Sequence, residues 1–172
     1  MNFARSARFC VQNGILVAGG YSQYAESSCE FFNSAQCQWS TVAPLNTARY
    51  YASAMTHADK VYVFGGEVSY RIFVEDIEQY DYAANKWTVL QVRLTVARSE
   101  SAAVCVCGRI FIVCGCNGDS RNAQSAVECF DPVENRFSSV SPLSQARWGS
   151  AAASVRVSAI VLKRLYKSAN AP

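Results

Sequence analysis

Three copies of one short pattern, almost evenly spaced, constrain this chain more than any other feature. The apolar runs ILVAGG (15–20), VYVFGG (61–66) and IFIVCG (110–115) each end in a glycine step. Aromatic side chains recur seven residues apart, as Phe32 with Trp39, Tyr80 with Trp87 and Phe130 with Phe137. An Ala-Arg pair places Arg49, Arg98 and Arg147 at 49-residue intervals, and 16 residues separate Arg49 from Gly65 just as they separate Arg98 from Cys114. Several landmarks recurring in fixed order mark a stack of like units, each needing neighbours to cover its apolar faces.

The content of one unit follows from residue types. After the Arg comes a small-residue and apolar segment, then a two-residue turn read at Asn13-Gly14, Asp59-Lys60 and Gly108-Arg109, then the glycine-ended run. That run is short and rich in β-branched and aromatic residues, so it suits a strand buried on both faces rather than a helix. A loop, a strand of the type IEQYD or VECFD, a turn and a strand around the Trp complete the unit. About four antiparallel strands per unit is one blade of a β-propeller.

Composition agrees with a packed domain: 51% of the 172 residues are hydrophobic and 17% charged. The net charge of +3 is scattered, with no basic run to suit nucleic acid, and no apolar stretch reaches the roughly 18–20 residues of a membrane helix. The opening MNFARSARFCVQNGILVAGG imitates a secretory signal, but Gln12, Asn13 and Gly14 interrupt its apolar region and the repeat accounts for the same residues.

With its glycine step after an apolar strand, its spaced Tyr and Trp and its period near 50, the chain resembles the kelch-repeat family. The resemblance implies an all-β, partial kelch-type β-propeller of about three four-stranded antiparallel blades, at about 1–45, 46–95 and 96–145, plus an incomplete fourth beginning at 146–155 and a divergent tail over 156–172. Departures are specific. Cys114 replaces the first glycine of the third unit, and Lys163 and Arg164 stand where the fourth should carry glycines. Three blades and a piece fall short of the roughly four to eight that close a propeller, so a fragment, a truncated product or a half-ring completed by a second chain is expected, with self-association through exposed blade edges.

No catalytic constellation emerges. His57 is the only histidine and precedes a hairpin turn, which disfavours Ser-His-Asp or Cys-His chemistry. Glu30, Glu78 and Glu128 recur at equivalent places, as a repeated blade role would require, and Arg49, Arg98 and Arg147 are expected to tie adjacent blades together. Cys105, Cys107 and Cys114 fall on one sheet face in the expected register, yet neighbours along a strand are about 6–7 Å apart and four thiolates around zinc must each lie near 2.3 Å from the metal. No metal and no cofactor is therefore expected. The cysteines are expected as buried small hydrophobes; against that reading, Cys116 is the best candidate for a reactive thiol, since it leaves its strand for a loop containing Arg121.

Function is expected in the loops, and the family resemblance implies a protein partner. The implied role is a substrate-recruiting or scaffolding part of a cullin ubiquitin ligase adaptor, engaging the ligase only through a BTB region absent here, or in other members an actin-binding module. Cytoplasmic location, no enzymatic activity, no nucleic acid and no membrane go with it. The resemblance places the partner surface two residues after each Arg, at Tyr51 and Glu100 with Gly149 offering no side chain, and in the loops after the glycines, at Tyr21, Tyr24, Glu67, Arg71, Asn117 and Arg121. The alternatives are a non-functional truncated fragment and an enzyme on a kelch-type propeller, such as the copper-dependent oxidases, for which one histidine is a poor ligand supply.

Overall fold

The computed structural model describes residues 8–11, 14–118 and 120–156. The first sheet contains β1 (Arg8–Val11), β2 (Gly14–Tyr21), β3 (Ala25–Asn33) and β4 (Gln38–Val42) in that spatial order. The second unit supplies β5 (Ser53–His57), β6 (Lys60–Phe64), a small hairpin of β7 (Glu67–Ser69) and β8 (Ile72–Phe73), then β9 (Ile77–Asp81) and β10 (Lys86–Val89). The third repeats it with β11 (Ala102–Val106), β12 (Arg109–Val113), the hairpin β13 (Cys116–Asn117) and β14 (Asn122–Ala123), β15 (Val127–Asp131) and β16 (Arg136–Val140). All three large sheets are antiparallel with the order expected of propeller blades, β5-β6-β9-β10 matching β11-β12-β15-β16. No helix of the described residues is long and apolar enough to cross a membrane.

The seven-residue aromatic spacing now has a cause. Phe32 lies opposite Trp39, Tyr80 opposite Trp87 and Phe130 opposite Phe137 across the outer hairpin of each blade. Their ring centroids are 5.2, 4.9 and 5.1 Å apart, within the range of favourable tilted packing.

The inner hairpins differ from expectation by one residue. Val106 pairs with Arg109 and His57 with Lys60, so the turns are Cys107-Gly108 and Ala58-Asp59. Cys105 therefore lies opposite Ile110 and Ala103 opposite Ile112, not in the register expected. The reason is the sense of the turn. Two-residue hairpin loops that match strand twist take left-handed backbone, and Cys107 (φ 49°) and Gly108 (φ 77°) both do, with glycine as the second residue. In the first unit Val11 pairs with Gly14, which makes Gly14 a strand residue; the other half of the expected turn, Asn13, lies outside the described residues.

Stacking produces one core per seam between blades. Leu16, Ala18, Cys29 and Leu45 meet Val61, Val63, Tyr80 and Trp87 at the first seam, while Tyr62, Phe64, Ile77 and Leu94 meet Ile110, Ile112 and Phe130 at the second. Strand β6 thus sends alternate side chains into opposite cores, which is why its sequence is continuously apolar. Trp87 Nε1 also donates to the Ala43 carbonyl of the preceding blade at 2.9 Å.

The repeated Arg and Glu form the polar half of each seam. Arg49 Nη1 donates to the carbonyls of Gly65 (3.0 Å) and Asp76 (3.1 Å), and Nη2 to Glu78 Oε1 at 2.9 Å. Glu78 also accepts from Asn46 N, Asn46 Nδ2 and Thr47 N. Arg98 repeats this with the carbonyls of Cys114 (3.1 Å) and Ala126 (3.2 Å) and with Glu128. Both arginines are at most 1% exposed, and such buried ions persist because every charge is paired and hydrogen-bonded. Burial pulls both guanidinium pKa values below the usual one, against the opposing pull of Glu78 and Glu128.

The chain beyond the third blade departs from the expected strand. Arg147 forms an isolated bridge with Gln124, and residues 150–156 form no strand. In complete blades that segment pairs with the glycine-ended run, and the corresponding residues of the fourth unit lie outside the described ones, as does the expected tail after Arg156.

Candidate functional site: an aromatic mouth around a buried ion pair

Strands β5 and β11 run side by side at the inner edges of their blades, and the residues preceding them line one end of the stack. Two residues after each Arg the backbone turns left-handed: Tyr51 has φ 54°, Glu100 φ 52° and Gly149 φ 63°. This conformation costs a non-glycine residue about 1–3 kcal/mol and persists only where its surroundings enforce it. Here they do, because Glu100 N donates to the Tyr51 carbonyl at 2.8 Å and Gly149 N to the Glu100 carbonyl at 3.0 Å. Gly149 is thus the repeat residue best suited to the position rather than a departure from it.

Close approach of the glycine steps shapes the same end. A Cβ added at Gly66 (φ 100°) would lie 2.7 Å from the Tyr50 carbonyl oxygen, and one at Gly115 (φ 107°) 2.7 Å from that of Ser99. The tight fit allows Tyr50 to bridge Glu67, and Ser99 to bridge Cys116. It also carries the chain into the hairpins that bear Arg71 and Arg121, both left-handed at φ 59° and 51°.

Five of the expected site residues meet in one cluster. Glu67 is fully buried, accepting from Ser99 Oγ at 2.7 Å, Arg121 Nη1 at 3.0 Å and Tyr50 OH at 3.2 Å. The second arm of Arg121, Nη2, binds Glu100. The guanidinium carbon lies 5.6 Å from the Tyr51 ring centre and 5.9 Å from that of Trp148, cation–π distances for both. Tyr21 and Tyr51 pack edge-on against Tyr50 at 5.0 and 4.9 Å. Desolvation, aided by the Glu67 charge, pushes the Tyr50 phenol up to about 12. Burial works against the Arg121 charge, but Cys116, Glu67 and Glu100 outweigh it and raise the Arg121 pKa.

The remaining expected residues stand apart. Arg71 stacks on Tyr70 at 4.8 Å, Asn117 accepts from Gln124 Nε2 at 2.6 Å inside its own hairpin, and Tyr24 projects from the β2–β3 turn. Glu67 is not a surface residue; its carboxylate organises Arg121 instead. Cys116 is also buried, a strand residue beside Ser99 Oγ at 3.4 Å rather than a loop thiol. The other cysteines have separate surroundings: Cys114 Sγ lies 2.7 Å from Ser150 Oγ, Cys105 Sγ 3.8 Å from His57 Nδ1, and Cys107 is exposed at its turn.

Trp148, Tyr70, Tyr50 and Ser99 join the expected residues. Tyr50, Ser99 and Trp148 each follow a repeated Arg, which is the signal in the sequence that marks them. With Tyr21, Tyr24 and Tyr51, the exposed Tyr70 and Trp148 complete a notable set. Among the described residues, every exposed aromatic side chain lies at this end of the blades.

Comparison with known proteins agrees with the architecture. The family model described as KLHDC2/KLHL20/DRC7 Kelch-repeats domain matches residues 3–166. Kelch-like protein 35 of Mus musculus is 26% identical over 136 residues, covering 79% of this chain and 23% of that protein. Kelch-like protein 36 of Mus musculus is 33% identical over 105 residues (58% and 17%), and Alpha-scruin of Limulus polyphemus 25% over 143 (77% and 16%). The chain thus spans less than a quarter of the length of these relatives. The solved structure of YjhT superposes with a TM-score of 0.72 at 14% identity, over 84% of this chain and 53% of that one. Repeat period, blade topology and family match converge, and the chain belongs to the kelch-repeat family.

Proposed function

We propose that this chain is a protein-recognition module, with its binding face at the mouth formed by Tyr21, Tyr24, Tyr51, Tyr70 and Trp148 around the Arg121 cluster. The observation that carries the reading is the confinement of all exposed aromatic side chains of the described residues to that end. Tyr, Trp and Arg dominate binding hot spots because they combine large contact area with directed polar groups. The ion-paired Arg121 keeps Tyr51 and Trp148 in place before a partner arrives, which lowers the ordering cost of association.

The finer role we assign is recruitment of a protein substrate to a cullin ubiquitin ligase in the cytoplasm, through a BTB region elsewhere, with no enzymatic activity or cofactor of the chain's own. Its support is family membership, including a 37% match over 70 residues to Kelch repeat and BTB domain-containing protein 8 of Danio rerio, covering 40% of this chain and 12% of that protein. Binding to actin is the second reading, drawn from the kelch-family resemblance.

The test compares capture by the parent chain with that by Tyr24→Ala/Tyr51→Ala/Trp148→Ala, whose circular dichroism should be unchanged. A discrete set of proteins held by the parent should bind the triple variant more weakly by about 2 kcal/mol or more. Filamentous actin in that set selects the second reading. Equal capture by both chains overturns the assignment of this face.

A further inference from the structure

At the opposite end of the blades, the first seam opens into a pocket of about 680 Å³. That lies within the range of about 300–1,000 Å³ usual for small-molecule sites. Phe31 and Tyr82 form its aromatic wall, with ring centroids 5.3 Å apart at 75°, above the buried Val61. Asp59, Lys60 and Asp81 bring charge to its rim.

Two features of the lining point to a ligand. The Tyr82 hydroxyl oxygen is buried, so what Tyr82 presents to the pocket is its ring, beside that of Phe31. Burial also pushes its pKa well up, so the phenol keeps its proton. The second feature is what the repeat does not explain. The Lys60–Asp81 ion pair recurs one blade later as Arg109–Asp131 at 3.4 Å and so belongs to the blade design. The aromatic wall does not recur: Gln79 and Pro132 occupy the places of Phe31 and Tyr82, and Gln79 is engaged with the Tyr62 hydroxyl at 2.9 Å. Asp59 is likewise specific to this seam, with Gly108 as its counterpart. Since Lys60 and Asp81 neutralise each other, Asp59 leaves the pocket with one net negative charge.

We propose that this pocket binds a small organic cation, an amine with an aryl or alkyl body. The body packs on the rings of Phe31 and Tyr82, and the ammonium is held by the Asp59 carboxylate. Rings and carboxylate both favour a cation, whereas an anion would face Asp59 unscreened by Lys60.

Titration of the isotope-labelled chain with phenethylamine and with phenylacetate, followed by amide shifts, tests this directly. Phenethylamine should shift the amides of Asp59, Asp81 and Ala83 saturably, with phenylacetate weaker by about tenfold or more. Asp59→Asn, at an exposed turn, should erase the preference. Absence of saturation at millimolar amine, equal binding of the two probes, or an Asp59→Asn chain that retains the preference would overturn the proposal.

Discussion

Arg98 and Arg147 occupy the same place in their repeats, and their main chains do the same work. The Arg98 carbonyl accepts from Gly66 N at 2.9 Å, and that of Arg147 from Gly115 N at 3.0 Å. Their side chains differ completely. Arg98 is 0% exposed, locked to Glu128 and two carbonyls of the following blade, whereas Arg147 is exposed. The contrast extends one residue on: Tyr50 and Ser99 are buried after Arg49 and Arg98, but Trp148 is 51% exposed after Arg147. It also reaches the strands, since Phe111 and Val113 are half-buried where Tyr62 and Phe64, their counterparts, are buried. Among the described residues, the preceding blade alone positions the backbone of this Arg, and the side chain is a buried ion where a following blade supplies its acceptors. Stability in such an array resides in the seams as much as in the units.

The strongest way to break this comparison is to remove one locked ion. Arg98→Met should cost about 3–5 kcal/mol, because Glu128 is left buried without its counter-charge. Urea unfolding measures it, and Arg98→Met/Glu128→Leu should recover part of the loss. A cost for Arg98→Met below about 1 kcal/mol would mean that burial of the pair contributes little to the seam.

An intermediate effect is expected at Tyr50. Tyr50→Phe removes one donor from buried Glu67 and should cost about 0.5–1.5 kcal/mol near neutral pH. The pH dependence sharpens it. The folded-state pKa near 12 exceeds the ordinary 10.0, so an unfolded chain loses this proton first. The associated stability is complete below pH 10 and is lost as the pH rises from 10 toward 12. Unfolding curves across that interval should fall less steeply for Tyr50→Phe than for the parent.

The smallest effect belongs to the exposed Arg147. Arg147→Met should change stability by no more than about 0.5 kcal/mol, as for an ordinary surface position. A loss comparable to that of Arg98→Met would show that Arg147 is locked in solution, and the distinction between the two arginines would fail.

What could be read from the chain itself was whatever the repeat enforces in every copy. Blade order, the paired aromatics and the role of Arg49 and Arg98 all follow from landmarks that recur because each seam needs them. The hairpin register was misread because glycine was placed first in the turn at Gly108, whereas the left-handed geometry puts it second. Cys116 is buried, as a cysteine acting as a small hydrophobe should be, but by a bridge to Ser99 that its place before a loop does not announce. Glu67 looked like a surface acid, and only the convergence of Tyr50, Ser99 and Arg121 from three segments turns it inward. The pocket at Tyr82 was invisible because it lies between elements far apart in sequence, at a position where the copies disagree.

The backbone links from Tyr51 to Glu100 and from Glu100 to Gly149 divide labour within each unit. At this position the link between blades runs through main-chain atoms, so it forms whatever side chain the position carries. A phenol, a carboxylate and a bare hydrogen can all sit there over the same joint. Chemical variety at the mouth is therefore decoupled from this main-chain link, and the inner rim works as a row of sockets in which contents change while the fittings do not.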